Sequence, residues 1–128
     1  MRKATGDHTD LNGVRVLLVE DDPVLLMDLE LMLAEAGAVV VGLCQTLDDA
    51  LVRSDTVDFT VAVLDYQLGA QTVSPLARRL LRNGVPFILH TGQGRGDGSI
   101  GELSQCPIVE KPATSRTLIS ALRAVLAQ

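Results

Sequence analysis

Val14-Arg15-Val16-Leu17-Leu18-Val19 runs straight into Glu20-Asp21-Asp22-Pro23. The first six residues are almost continuously apolar, the mark of a strand buried on both faces. Such strands belong to parallel sheets covered by helices on either side. A proline in the first helical turn, with an acidic residue just before it, marks a helix start. Asp22 is the expected N-cap. Leu25, Leu29, Met32 and Ala36 then recur at helical spacing, and Gly37 supplies the stop.

The same unit repeats downstream. Ala38–Leu43 is a second short apolar run, followed by a helix start at Thr46 with Asp49 in capping-box position. Phe59–Leu64 is a third strand and ends at Asp65, followed by a loop holding Gly69. Ser74-Pro75 opens another helix, with Leu76, Leu80 and Leu81 expected inward and Arg78, Arg79 and Arg82 toward its C-terminal end, where the helix dipole favours cations. Val85–His90 is a fourth strand ending at Thr91. The five glycines between Gly92 and Gly101 leave room only for a short helix. Ile108-Val109 is a fifth strand ending near Lys111-Pro112, and Thr114 caps a last helix with Leu118, Ala121, Leu122 and Val125 on one stripe. Strand and helix alternating five times predict an α/β fold, a doubly wound, flavodoxin-like five-stranded parallel sheet of order 2-1-3-4-5 with helices on both faces. Residues 1–12 read as a flexible N-terminal arm and residues 13–128 as one domain.

Composition narrows the function. The 128 residues are 47% hydrophobic and 21% charged, the balance of an ordinary globular chain. A net charge of −5 argues against nucleic acid and anionic membrane as partners. The N-terminus lacks the apolar stretch of a signal peptide, and no run approaches the ~20 residues of a membrane helix. A cytoplasmic location is expected, with Cys44 and Cys106 as reduced, buried thiols rather than a disulfide.

In an open parallel sheet, ligands bind beyond the carboxyl ends of the strands. The first strand delivers Glu20 and Asp21 there, the third Asp65, the fourth Thr91 and the fifth Lys111. Three adjacent carboxylates repel one another, and a divalent cation with a preference for hard oxygen ligands, Mg²⁺ or Mn²⁺, relieves this. Lys111 and the cation together balance the three negative charges. A neutralised site can receive a phosphoryl group, and aspartate is a covalent acceptor of such groups. Lys111 would stabilise charge on the phosphoryl oxygens, and Thr91 would donate a hydrogen bond to one of them.

An acidic pair after strand 1, Asp after strand 3, Thr after strand 4 and Lys-Pro after strand 5, in that order over about residues 14–127, resemble the response-regulator receiver family (CheY-like superfamily), of the stand-alone single-domain type. The resemblance implies that a histidine kinase or phosphotransfer protein phosphorylates Asp65. It implies a metal bound directly by Asp21 and Asp65, through water by Glu20, and by the backbone carbonyl of Gln67. It implies no enzymatic activity beyond self-phosphorylation and self-dephosphorylation, and output by contact with a downstream protein. Gly84-Val85-Pro86-Phe87 followed by Thr91-Gly92 is similar to stand-alone receivers that partner kinases of the HWE type.

Two positions depart from the family pattern. Ile108 stands where most receivers carry an aromatic output switch, three residues before the lysine, and Gly69 stands where many carry proline. The glycine-rich segment 92–101 is the alternative expected switch, and a phosphorylation-independent interaction module is the alternative function. Gln67 and Gln93 fall where receivers tune loss of the phosphoryl group. His90 is a lone histidine at a strand end, a setting in which neither phosphohistidine nor metal chemistry is expected. Gly96-Asp97-Gly98-Ser99-Ile100-Gly101 matches a dinucleotide-binding glycine pattern, but it does not directly follow a strand and no acid lies ~20 residues on, so it reads as a loop.

Overall fold

The computed structural model describes residues 10–92 and 101–128. The strands of the main sheet are β1 (Arg15–Val19), β2 (Val39–Cys44), β3 (Val61–Leu64), β6 (Phe87–Thr91) and β7 (Ile108–Glu110). They lie in the order β2-β1-β3-β6-β7, all parallel, which is the expected 2-1-3-4-5 arrangement. The helices are α1 (Pro23–Glu35), α2 (Leu47–Thr56), α3 (Ser74–Arg82) and α4 (Ser115–Leu126), and a 3₁₀ turn spans Gly101–Gln105 before β7. Gln93 and most of the glycine-rich segment lie outside the described residues.

Alternation along the strands divides the core in two, because successive side chains point to opposite faces. Leu17, Val19, Ala62, Leu64, Phe87 and Leu89 face α2 and α3. Val16, Leu18, Val61, Val63, Ile88 and Val109 face α1 and α4. Leu11 joins the second cluster, 1% exposed, with its N–H donating to the Ala36 carbonyl at 2.8 Å. Packing therefore begins inside the segment expected as an arm; residues 1–9 of that arm lie outside the described residues. Cys44 and Cys106 are buried free thiols.

The caps form as the sequence suggests. Asp22 accepts from the N–H groups of Val24 and Leu25, Thr46 accepts from Asp49, and Thr114 forms a capping box with Thr117. The buried faces differ from expectation in three places. Helix α1 buries Leu26, Leu29 and Leu33 with Ala36, and Leu25 and Met32 are only half-buried. That helix is apolar on nearly every side, so spacing alone cannot select its inner face. Leu81 in α3 is 55% exposed, because Leu76, Ala77 and Leu80 already fill that contact. In α4, Ile119 is buried and Ala121 only partly so.

A further element was not expected. The loop after Asp65 contains an antiparallel hairpin, β4 (Gln67–Leu68) and β5 (Gln71–Thr72), turning at Gly69.

Candidate functional site

The carboxyl ends of the central strands hold the site because the ladder runs one residue past each strand. Glu20 donates its N–H to the Cys44 carbonyl, Asp65 to that of Val19 and Lys111 to that of Thr91, at 2.9, 2.9 and 3.0 Å. These bonds fix the residues laterally, each against the end of the neighbouring strand. Glu20, Asp21 and Asp65 converge so that one carboxylate oxygen from each lies within 4.8 Å of the others.

Lys111 sits over this group. Its ammonium is 3.1 Å from Asp65 Oδ2 and 3.2 and 3.4 Å from the two oxygens of Glu20. Glu20 Oε2 also accepts from the Asp22 N–H at 3.1 Å. Asp22 itself is exposed and spent on capping α1, so it stays out of the cluster. Thr91, the last residue of β6, is buried at 2% exposure on the same rim. Gln67 begins β4 two residues beyond Asp65, its side chain donating to the carbonyls of Gly69 and Gln71.

Burial governs the electrostatics. It pushes the Glu20 carboxyl up to about 7; the Asp22 backbone bond and Lys111 oppose this, and the charge of Asp65 adds to it. Burial also raises Asp65, against the hydrogen bond and charge of Lys111. Burial alone would lower Lys111, but its bonds and charge pairing with Asp65 and Glu20 outweigh that and hold it up.

One cation does not balance three carboxylates, and two of the three are nearly inaccessible to water: Glu20 is 0% and Asp65 4% exposed. Glu20 Oε1 is buried with no hydrogen-bond partner among the described residues, because Lys111 pairs with it by charge without hydrogen-bond geometry. A converging set of hard oxygen donors with a residual negative charge fits a divalent cation such as Mg²⁺ or Mn²⁺.

The hairpin closes one side of the site. The Gly69 N–H donates to Asp21 Oδ2 at 2.9 Å, and Gly69 has φ +62°. A proline could supply neither the N–H nor that backbone angle. The departure at position 69 is therefore structural: it ties the hairpin to the acidic pair. Gly69→Pro is expected to cost about 2–3 kcal/mol by losing both features. A urea titration checks this, and an unchanged midpoint would show that the hairpin is not anchored here.

His90 was set aside on sequence grounds, and the structure gives it a specific place. It is 1% exposed, and Nδ1 lies 3.8 Å from Glu20 Oε1. Burial, helped by the charge of Lys111, pushes its imidazole down to about 4, so the ring is neutral. Neither ring nitrogen has a hydrogen-bond partner among the described residues. Each such buried orphan costs about 1–3 kcal/mol. No sequence signal marks this placement, since the pairing with Glu20 exists only across the sheet.

No protein-family model matches the sequence, and no curated protein does either. Solved structures do. A response regulator receiver domain protein (CheY-like) from Methanospirillum hungatei JF-1 is 24% identical, with 89% of this chain and 94% of that one covered and a TM-score of 0.77. SdrG from Sphingomonas melonis Fr1 is 31% identical over 88% of this chain and 96% of that one, with a TM-score of 0.76. The chain belongs to the CheY-like receiver-domain family. The receiver is also similar to the response regulator PhyR from Brucella abortus: 24% identity, 95% of this chain and 51% of that one, TM-score 0.78. This receiver spans about half the length of the PhyR chains it matches. No helix among the described residues is long and apolar enough to cross a membrane.

Proposed function

We propose that this receiver is a phosphoacceptor switch whose acceptor is Asp65, with a histidine kinase, of the HWE type, or a phosphotransfer protein as donor. The observation that carries this reading is the convergence of Glu20, Asp21 and Asp65 with Lys111 3.1 Å from Asp65 Oδ2. An oxygen of the Asp65 carboxylate bonds to phosphorus as the bond to the donor's imidazole nitrogen breaks, and that nitrogen keeps the electron pair. Lys111 places a fixed positive charge beside the oxygens of the transferred group, and Thr91 donates its hydroxyl to one of them. Asp21 and Asp65 would hold a divalent cation directly, Glu20 through water and the Gln67 carbonyl as a further ligand, and the cation would supply the remaining positive charge. Water later hydrolyses the acyl phosphate and regenerates Asp65. The domain's own chemistry is limited to gaining and losing this group, and its output is altered contact with a partner protein in the same compartment, the cytoplasm.

A second reading is a phosphorylation-independent interaction module. Ile108 favours it: the position is half-buried against the core and has no aromatic ring to reorient. Intact mass after incubation with acetyl phosphate separates the two. One added phosphoryl group is expected with Mg²⁺ and none with EDTA. A mass unchanged in both conditions would favour the module.

A further inference from the structure

We propose that His90 is a positioning residue for Glu20, donating its Nδ1 hydrogen to Glu20 Oε1 and so aiming that carboxylate at the cation. The inference rests on the metal-binding part of the function proposed above and adds a residue to it.

Two buried polar atoms without a hydrogen-bond partner among the described residues lie near each other. Glu20 Oε1 and His90 Nδ1 are 3.8 Å apart, and the side chains carrying them are 0% and 2% exposed. With a cation in the site Glu20 is ionised, and a carboxylate oxygen can only accept, so the hydrogen between them then belongs on Nδ1. The other oxygen, Oε2, is held by the Asp22 N–H and the Lys111 ammonium. Lys111 pairs with Oε1 by charge without hydrogen-bond geometry, and His90 Nδ1 lies 3.8 Å from the same oxygen. Closing the gap by about 0.8 Å, a small side-chain rotation, brings the pair to ordinary hydrogen-bond length. Both oxygens of Glu20 would then be oriented from the protein side, the arrangement by which outer partners fix metal-binding carboxylates.

Among the described residues the neighbouring core gives no other reason for a histidine. Ile88, two residues earlier on the same face of β6, packs among aliphatic side chains. A leucine at position 90 would meet that environment without an unpaired nitrogen. His90 thus trades stability for a donor, and the trade predicts two effects of opposite sign.

The test compares His90→Leu, His90→Asn and His90→Gln in the full chain. Mg²⁺ affinity is measured by calorimetry and metal-free melting by circular dichroism. His90→Leu is expected to melt about 4 °C higher than wild type and to bind Mg²⁺ about tenfold more weakly. Asparagine places an amide N–H where Nδ1 stood, so His90→Asn should recover most of the affinity; glutamine reaches the Nε2 position and should not. In wild type, the ¹⁵N resonance of His90 Nδ1 should be that of a protonated nitrogen and should shift on adding Mg²⁺. Mg²⁺ affinity unchanged in His90→Leu, or equal in the Asn and Gln variants, overturns the proposal; the Asn–Gln comparison stands even if the leucine variant does not fold. A wild-type chain that binds Mg²⁺ but takes no phosphoryl group from acetyl phosphate sinks the phosphoacceptor reading alone, and the variants still decide the role of His90.

Discussion

Asp65→Asn will leave the domain unable to take up a phosphoryl group, and its metal-free form will melt about 4 °C above wild type. The two effects have one cause. Asp65 is 4% exposed beside Glu20, which is 0% exposed, so above pH 7, where Glu20 is ionised, two negative charges share a volume that water barely enters. Lys111 offsets one of them, from 3.1 Å. The amide keeps the shape of the side chain and removes the second charge, which relieves repulsion worth about 1 kcal/mol after the weakened bond to Lys111 is subtracted. On the proposed function, the same change also removes the attacking oxygen and a ligand of the cation. Magnesium should therefore raise the melting temperature of wild type and not of the variant, since only a ligand that binds the folded form stabilises it. Intact mass and thermal melts with EDTA and with Mg²⁺ read both effects. Phosphoryl uptake by Asp65→Asn equal to wild type would move the acceptor elsewhere.

The metal-free protein should show little pH dependence between about 4.5 and 7, and single substitutions should expose two large opposing slopes. Glu20 has a carboxyl raised by burial from 4.5 to about 7. The folded state therefore favours its protonated form: the contribution is complete below 4.5 and is lost as pH rises through 7. His90 has an imidazole lowered by burial from 6.5 to about 4. The folded state favours the neutral ring, so that contribution is complete above 6.5 and is lost as pH falls through 4. Each is worth about 3 kcal/mol, and the windows nearly coincide with opposite sign. Asp65, also raised by burial, adds to the acid side of the balance. Glu20→Gln should melt about 10 °C lower at pH 4.5 than at pH 7, and His90→Leu about 10 °C higher. Melts in EDTA across this range test it. Parallel curves for wild type and both variants would mean that neither group is shifted.

How much of this was legible in the sequence depends on the range of the interaction. Val14–Val19 and the acidic turn after it were readable because burial on both faces writes an unbroken apolar run. Asp22, Thr46 and Thr114 were readable as caps because a cap is a contact over two or three residues. The inner face of α1 was not, because Val24, Met27 and Leu31 are as apolar as the buried Leu26, Leu29 and Leu33 and yet stand 66%, 68% and 59% exposed. The hairpin over Gln67–Thr72 was missed because two-residue strands leave no periodicity.

By itself the sequence determined the strand order and delivered Glu20, Asp21, Asp65, Thr91 and Lys111 to one rim, since alternation of elements and right-handed crossovers leave few topologies. Tertiary structure alone decided how those groups meet. It set Lys111 between two carboxylates, tied Gly69 to Asp21, and brought His90 to within 3.8 Å of Glu20. Those contacts join residues 46 to 91 positions apart. Their strength comes from the exclusion of water around them, and no local pattern of residues records that.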